Sequence, residues 1–132
     1  MRLLIFAFLL LGFAQCTPSQ DKKFKPEGDM KKLSAQKDKE ELKIGQKAYY
    51  QTSVHGSVGE TVEVSVDNPS VLKLVDTHFA YDDARKAKTS GGDAGTKTFV
   101  FEALKPGSTT IVAKKLFRDE VKNTHKFTIN VK

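Results

Sequence analysis

The chain of 132 residues contains no Trp, one Cys, two Met and four Pro. A single Cys cannot form an intrachain disulfide, and without a Cys pair and a Trp the chain lacks the core of an antibody-type domain. The net charge of +6 comes with neither an Arg cluster nor a basic stripe interleaved with aromatic residues. We therefore expect no disulfide scaffold and no nucleic-acid partner. With 39% hydrophobic residues, the chain can bury one core.

Residue types that carry catalysis or bind metals are scattered along the chain. The three histidines, His55, His78 and His125, have no spacing that would place two of them on one metal ion. Adjacent acidic side chains at residues 82–83 and 119–120 point apart in extended chain, and no calcium-binding loop surrounds them. No Ser has the sequence setting of a nucleophile elbow. We expect a binding protein that is not an enzyme and needs no metal and no cofactor.

The N-terminus has the pattern of an export signal. A short basic start precedes an apolar run over residues 3–13, and Gly12 and Ala14 occupy the positions that a signal peptidase recognises. The run is shorter than the roughly 20 apolar residues of a membrane-spanning helix. We predict a signal peptide over residues 1–14 and a secreted mature protein.

Cys16 lies two residues beyond the predicted cleavage site, and a cysteine just after an export signal can be the acylated first residue of a bacterial lipoprotein. Gln15, however, stands where lipoprotein signals have Gly, Ala or Ser. Lipidation of Cys16 is therefore the less favoured alternative. It would anchor the protein to a membrane through acyl chains, and without it we expect no membrane contact.

Residues 15–40 are rich in Lys, Asp, Glu, Gln and Ser and show no sustained helical period. Acidic residues are interspersed among the lysines, which argues against a polybasic arm for phosphate or membrane surfaces. We predict a polar, charged linker over residues 15–40, followed by one folded domain over residues 41–132. Removal of residues 17–39 should then leave folding intact.

From residue 41 onward the apolar residues repeat with a period of two, which indicates half-buried strands. Phe99 and Phe101 follow this alternation, as do Phe127 and Ile129, so we place all four side chains in the core. Short strands separated by Gly, Pro and Asn turns, without a helical pattern, predict an all-β fold. We expect a monomeric immunoglobulin-like antiparallel β-sandwich. Its seven predicted strands lie near residues 42–44, 47–54, 60–66, 71–76, 96–103, 109–115 and 124–131.

Three motifs in this domain carry a family resemblance. They are PSVLKL at residues 69–74, a glycine loop followed by Thr96, and ALKPG at residues 103–107 before a Thr-rich strand. With these motifs, residues 68–132 resemble the second half of the chagasin family of cysteine-protease inhibitors. The resemblance implies an immunoglobulin-like domain that inserts three loops from one end into the cleft of a papain-like protease. The same motifs also resemble bacterial immunoglobulin-like repeats of adhesins.

The resemblance also implies which residues contact the protease. Loop 1, residues 55–59, reads HGSVG where the family has NPTTG, and it keeps the closing glycine. Loop 2, residues 91–95, is the best preserved and matches the family's GxGG with Ala in place of one glycine. Loop 3, residues 115–117, reads KLF where the family has Arg-Pro-Trp. The implied protease-binding residues are His55, Gly56, Ser57, Val58, Gly59, Gly91, Gly92, Asp93, Ala94, Gly95, Lys115, Leu116 and Phe117.

Two functions are compatible with these patterns. The first is an exported inhibitor whose partner is a papain-like cysteine protease, and the second is a structural or adhesive module without a protease target. An inhibitor requires the three loops to converge at one end of the sandwich, whereas a structural module does not. Phe117 fits core packing and a role as an aromatic anchor equally well. The density of glycines in loop 2 favours a functional role for that loop.

Overall fold

The computed structural model describes residues 23–86, residue 89 and residues 93–132. The predicted signal peptide, Cys16, Gly91 and Gly92 lie outside these residues. The described chain forms eight strands and one short 3-10 helix, Gly56–Val58. The strands are β1 (Lys31–Leu33), β2 (Lys39–Leu42), β3 (Lys47–His55), β4 (Glu60–Val66), β5 (Leu72–Tyr81), β6 (Ala94–Ala103), β7 (Gly107–Phe117) and β8 (Glu120–Val131).

The strands form two four-stranded sheets. Sheet A has the order β1-β3-β6-β5, and sheet B has the order β2-β8-β7-β4. The long strands pair in antiparallel fashion, whereas β1 and β2 run parallel to β3 and β8. The predicted all-β sandwich is confirmed, and β1 is added to the seven predicted strands.

The core lies between the inner faces of the two sheets. The four side chains that alternation placed in the interior, Phe99, Phe101, Phe127 and Ile129, are all buried. They belong to one apolar cluster that includes residues of all eight strands. Tyr50 crosses the interior and packs its ring 5.3 Å from that of Phe127, which joins the two sheets directly.

The folded domain begins earlier than the sequence pattern indicated. Strand β1 lies within the segment predicted as a linker, and its Leu33 is 2% exposed and belongs to the core cluster. Glu40, 9% exposed, lies 2.8 Å from the ammonium of Lys37 and 3.7 Å from that of Lys31. The structure therefore moves the domain boundary to residue 31 or before. One leucine among charged residues gave no periodicity that could reveal this strand.

The N-terminal segment also packs on the outer face of sheet A. The ring of Phe24 lies 5.1 Å from that of Tyr49 and 5.2 Å from that of His78. Val100, the cross-strand partner of Tyr49, faces away from the sandwich interior and is nevertheless buried. Phe24 and Val100 line the same groove. Part of the segment predicted as a solvated linker thus covers an apolar strip of the sheet.

Candidate functional site

Loop 1 forms a tight turn between β3 and β4. Residues Gly56–Val58 make one turn of 3-10 helix, and Gly59 ends it with its N–H donating to the Gly56 carbonyl at 2.9 Å. Gly59 has a φ of +90°, a left-handed conformation that a side chain disfavours, which accounts for the glycine at this position. Val58 is 40% exposed at the tip of the turn. Loop 1 therefore presents an apolar side chain on a single, well-defined turn.

Loop 2 is only partly loop. Asp93 precedes β6, whereas Ala94 and Gly95 belong to that strand, and Gly91 and Gly92 lie outside the described residues. A Cβ added to Gly95 would lie 2.5 Å from the Ala80 carbonyl oxygen and 2.5 Å from the Phe79 ring. Gly95 is thus explained by close packing against β5, and its presence gives no support for a role in binding.

Loop 3 lies within strand β7, and the turn that follows it is formed by Arg118 and Asp119. Both turn residues have positive φ, 49° and 66°, as in the two-residue turn that matches the twist of a hairpin. Phe117 is half-buried and does not belong to the core cluster. The Arg118 guanidinium lies over the Phe117 ring, 5.1 Å from its centre. The two side chains form one amphipathic unit at the rim of the sandwich.

The described residues of all three loops lie at the same end of the sandwich, called here the loop end. His55 pairs with Ala94 across β3 and β6, so loop 1 and loop 2 lie side by side. Glu60 pairs with Phe117 across β4 and β7, so loop 1 also lies beside loop 3. The strand register therefore produces the convergence that an inhibitor requires.

Loop 1 is hydrogen-bonded to the β7–β8 turn and to β4, the strand that follows loop 1 in the chain. The backbone N–H of Arg118 donates to the Gly59 carbonyl at 2.8 Å. The Glu60 carboxylate accepts the backbone N–H of His55 at 3.1 Å and lies 3.4 Å from the Lys115 ammonium. These contacts join the ends of β3, β4 and β7.

Loop 1 is bonded to loop 2 through Asp93. Its Oδ2 accepts the backbone N–H of Ser57 at 2.6 Å. Its Oδ1 is shielded from solvent and lies 3.1 Å from Nε2 of His55, an ion-pair distance without hydrogen-bond geometry. Hydrogen bonds from Ser57 lower the pKa of the Asp93 carboxyl below its ordinary value, with a smaller contribution from the His55 charge. Asp93 is therefore ionised at neutral and mildly acidic pH.

The structure gathers described members of all three predicted groups but adds residues that the sequence did not single out. Arg118 and Asp119 form the tip beside loop 1, and Glu60 lies at its base. The apolar pair Leu116-Phe117 followed by Val121 could have indicated strands on both sides of a turn at residues 118–119. The contact of Glu60 with Lys115 depends on a register across 55 residues of chain, for which the sequence has no local signal.

Other chemistry at the described residues is limited. Among them, no group of three His, Cys, Asp or Glu side chains is arranged to hold a metal ion. His78 pairs with Asp76 at 2.9 Å on the outer face of sheet A, where it lies opposite Thr98. No helix within the described part of the chain is long and apolar enough to cross a membrane.

The fold and the loop end define a β-sandwich that presents a cluster of loops for binding. Residues 37–131 match the chagasin family of peptidase inhibitors, I42, over most of the chain. The chain therefore belongs to this family, and the resemblance seen in the sequence is confirmed. The expectation of a peptidase inhibitor is confirmed at the level of the family. No curated protein matches the chain in sequence.

Several solved structures share the fold. The cysteine protease inhibitor EhICP2 from Entamoeba histolytica superposes with a TM-score of 0.65 and 13% identity, over 78% of this chain and 96% of that chain. Amebosin gives 0.58 and 18%, over 80% and 100%. PbICP-C, solved in complex with falcipain-2, gives 0.48 and 12%, over 84% and 95%. At these identities the likeness to EhICP2 and to Amebosin shows the fold alone.

Proposed function

We propose that this protein inhibits papain-like cysteine proteases by inserting the loop end into the active-site cleft. The main support is that loop 1 is hydrogen-bonded to loop 2 and to the β7–β8 turn. Ser57 bonds to Asp93, and Gly59 bonds to Arg118. Loops already held in shape lose little conformational entropy on docking. Membership of a peptidase-inhibitor family supports the same proposal.

The loop end offers the chemistry that a protease cleft accepts. Val58 supplies an exposed apolar side chain at the tip of loop 1. Gly56 and Gly59, on either side of it, carry no side chains that would obstruct entry into a narrow cleft. The ring of Phe117, covered by the Arg118 side chain, lies beside it at the rim. Protease–inhibitor interfaces concentrate their energy in a few such anchors surrounded by polar contacts.

The first experiment titrates papain, cathepsin L and cathepsin B with the purified protein. We expect reversible, competitive inhibition of at least one of the three. Full activity of all three enzymes at micromolar inhibitor would contradict the proposal and favour the structural or adhesive module instead.

A matched pair of variants shows whether the loop end is the contacting surface. Val58→Asp places a charge on the apolar tip and should weaken inhibition about tenfold or more, because the charge would be desolvated in the cleft. Ile44 is similarly exposed, but it lies in the β2–β3 turn at the other end of the sandwich. Ile44→Asp should leave the inhibition constant unchanged. Equal losses in both variants would show that the surface was assigned wrongly.

We also propose that the protein acts after export, as the N-terminal sequence pattern indicates. Mass spectrometry of protein from cells that express the full chain should find a mature N-terminus at or near Gln15. A mass increased by acyl chains on Cys16 would instead support the lipoprotein alternative. An intact Met1 would contradict both.

A further inference from the structure

The amino-acid composition of loop 1 does not restrict its backbone to one conformation. It contains two glycines in five residues and no proline, so its backbone is flexible as an isolated segment. The single turn of 3-10 helix has no side-chain cap at His55. In the structure the shape of loop 1 therefore depends on groups supplied by its neighbours.

Asp93 is the neighbour that contacts loop 1 most directly. One carboxylate oxygen accepts the Ser57 N–H at 2.6 Å, and the other lies 3.1 Å from the His55 imidazole. The carboxylate also lies against Gly56, where an added Cβ would be 3.2 Å from Oδ2. Asp93 thus contacts three consecutive residues of loop 1.

The position of Asp93 is itself fixed by the sheet. The next residue, Ala94, pairs with His55 in the β3–β6 ladder, and the Ala94 carbonyl accepts the N–H of Asp82 at 2.9 Å. A carboxylate on this rigid strand end forms stronger hydrogen bonds to backbone N–H groups than a neutral acceptor does. Loop 1 is therefore attached to the framework through a short, charge-assisted contact.

We propose that Asp93 is a positioning residue that holds loop 1 in its protease-binding conformation. This inference rests on the proposed function. Asp93 acts through Ser57 and His55, so its removal loosens loop 1 without removing any part of loop 1 itself.

The contact is strongest when the carboxylate is ionised, because a charged acceptor forms the stronger hydrogen bond. The imidazole of His55 in β3 faces the Asp93 carboxylate. The backbone N–H of His55 donates to Glu60 of β4, which pairs in turn with Lys115 of β7. Since the Ser57 hydrogen bonds lower the folded-state pKa of Asp93, the ionised contact is present at neutral pH and is lost only as the pH falls below the ordinary range of an aspartate carboxyl.

The test compares three variants of the full chain. Asp93→Ala removes both charge and acceptor, whereas Asp93→Asn keeps an oxygen that can accept the Ser57 N–H. Asp67→Asn makes the same charge change at the opposite end of the sandwich, between β4 and β5. We expect inhibition to weaken about tenfold or more in Asp93→Ala, less in Asp93→Asn, and not at all in Asp67→Asn.

A second readout does not depend on any protease. Hydrogen exchange of the Ser57 amide should become about tenfold faster in Asp93→Ala, while amides of the core strands keep their protection. In the wild type, the Ser57 amide resonance should shift as the pH falls below the ordinary range of an aspartate carboxyl, and this titration should be absent in Asp93→Asn.

The outcomes separate this inference from the proposed function. A wild type that inhibits, with an Asp93→Ala variant that inhibits equally well, overturns the positioning role alone. Unchanged exchange of the Ser57 amide in Asp93→Ala overturns it as well. A wild type that inhibits none of the three proteases overturns the proposed function, and with it the purpose of the contact, even where the Ser57 amide responds as expected.

Discussion

The loop end of the sandwich is much less buried than the opposite end, called here the core end. Along β3, β7 and β8 the fully buried residues lie toward the core end, and the residues nearest the loops are half-buried or exposed. Phe101 and its partner Ala48 are completely buried near the core end, whereas Phe117 at the loop end is half-buried. Apolar burial, and with it stability, is concentrated away from the binding surface.

Hydrogen bonds between neighbouring segments close both ends, and carboxylates take part in them at the loop end. At the core end, backbone groups bond to one another: the N–H of Gly45 donates to the Ala103 carbonyl, and the N–H of Leu104 donates to the Val71 carbonyl, both at 2.8 Å. At the loop end, the N–H of Arg118 donates to the Gly59 carbonyl, and in addition the carboxylates of Asp93 and Glu60 accept backbone N–H groups. Side-chain contacts can be lost one at a time by substitution. The loop end can therefore vary in sequence while the core end preserves the fold.

The largest expected effect is a difference in the free energy of unfolding between Ala variants of two phenylalanines, one at each end. Phe101→Ala should lower the free energy of unfolding by about 3–5 kcal/mol, because it empties a fully buried site. Phe117→Ala, the same substitution at the loop end, should cost about 1 kcal/mol or less and should weaken protease inhibition about 30-fold. Denaturant unfolding and inhibition titrations measure the two effects.

Equal destabilisation by the two substitutions would contradict the conclusion that stability is concentrated at the core end. It would show that Phe117 contributes to the core as much as Phe101 does. The aromatic side chain at the rim would then be a packing residue, and its effect on inhibition would follow from loss of fold.

The second expected effect extends the core to the N-terminal segment. Leu33→Ala should cost about 2–4 kcal/mol, because Leu33 is buried in the core cluster. Leu74→Ala, at a more exposed position of β5, serves as the control and should cost less than about 1 kcal/mol. Thermal unfolding of both variants measures the difference. Similar midpoints would support the linker that the sequence predicted over residues 15–40.

The strands could be predicted from the sequence because alternation is a local signal. Six of the seven predicted strands coincide with observed strands over most of their length, whereas the first, near residues 42–44, shares only Leu42 with β2. The paired Phe residues of β6 were assigned to the correct face. Strand β1 escaped prediction because it has three residues and one apolar side chain facing the core. Its pairing with β3 is established by tertiary packing, which overrides its weak propensity.

Turns and loop contacts were harder to predict. The last strand was predicted to begin near residue 124, but β8 begins at Glu120, and the turn before it is formed by Arg118 and Asp119. That turn lacks the Asn-Gly or Asp-Gly pair that usually marks a two-residue hairpin. The contact between Asp93 and Ser57 joins residues 36 positions apart, so only the strand register reveals it.

The smallest of the three effects concerns the place where the core meets the loop end. Gly95 lies in β6 with the Phe79 ring and the Ala80 carbonyl oxygen each 2.5 Å from where a Cβ would be. Gly95→Ala should therefore lower the free energy of unfolding by about 1–3 kcal/mol, because β5 must move away from β6. Gly56→Ala in loop 1 is the matched control, since its Cβ would meet the Asp93 carboxylate at 3.2 Å and nothing else within 4 Å. We expect Gly56→Ala to change stability by less than about 0.5 kcal/mol.

These two glycine variants locate the boundary between framework and loop, because the same methyl group is added on either side of it. A Gly95→Ala variant that unfolds like the wild type but inhibits poorly would move Gly95 from the framework to the binding surface, as the glycine pattern of loop 2 first indicated. A destabilised variant that still inhibits at temperatures well below its unfolding midpoint would instead place the end of the framework at Gly95. Asp93 and loop 1 would then lie just beyond it, held by the carboxylates of Asp93 and Glu60 and by the backbone bond from Arg118 to Gly59.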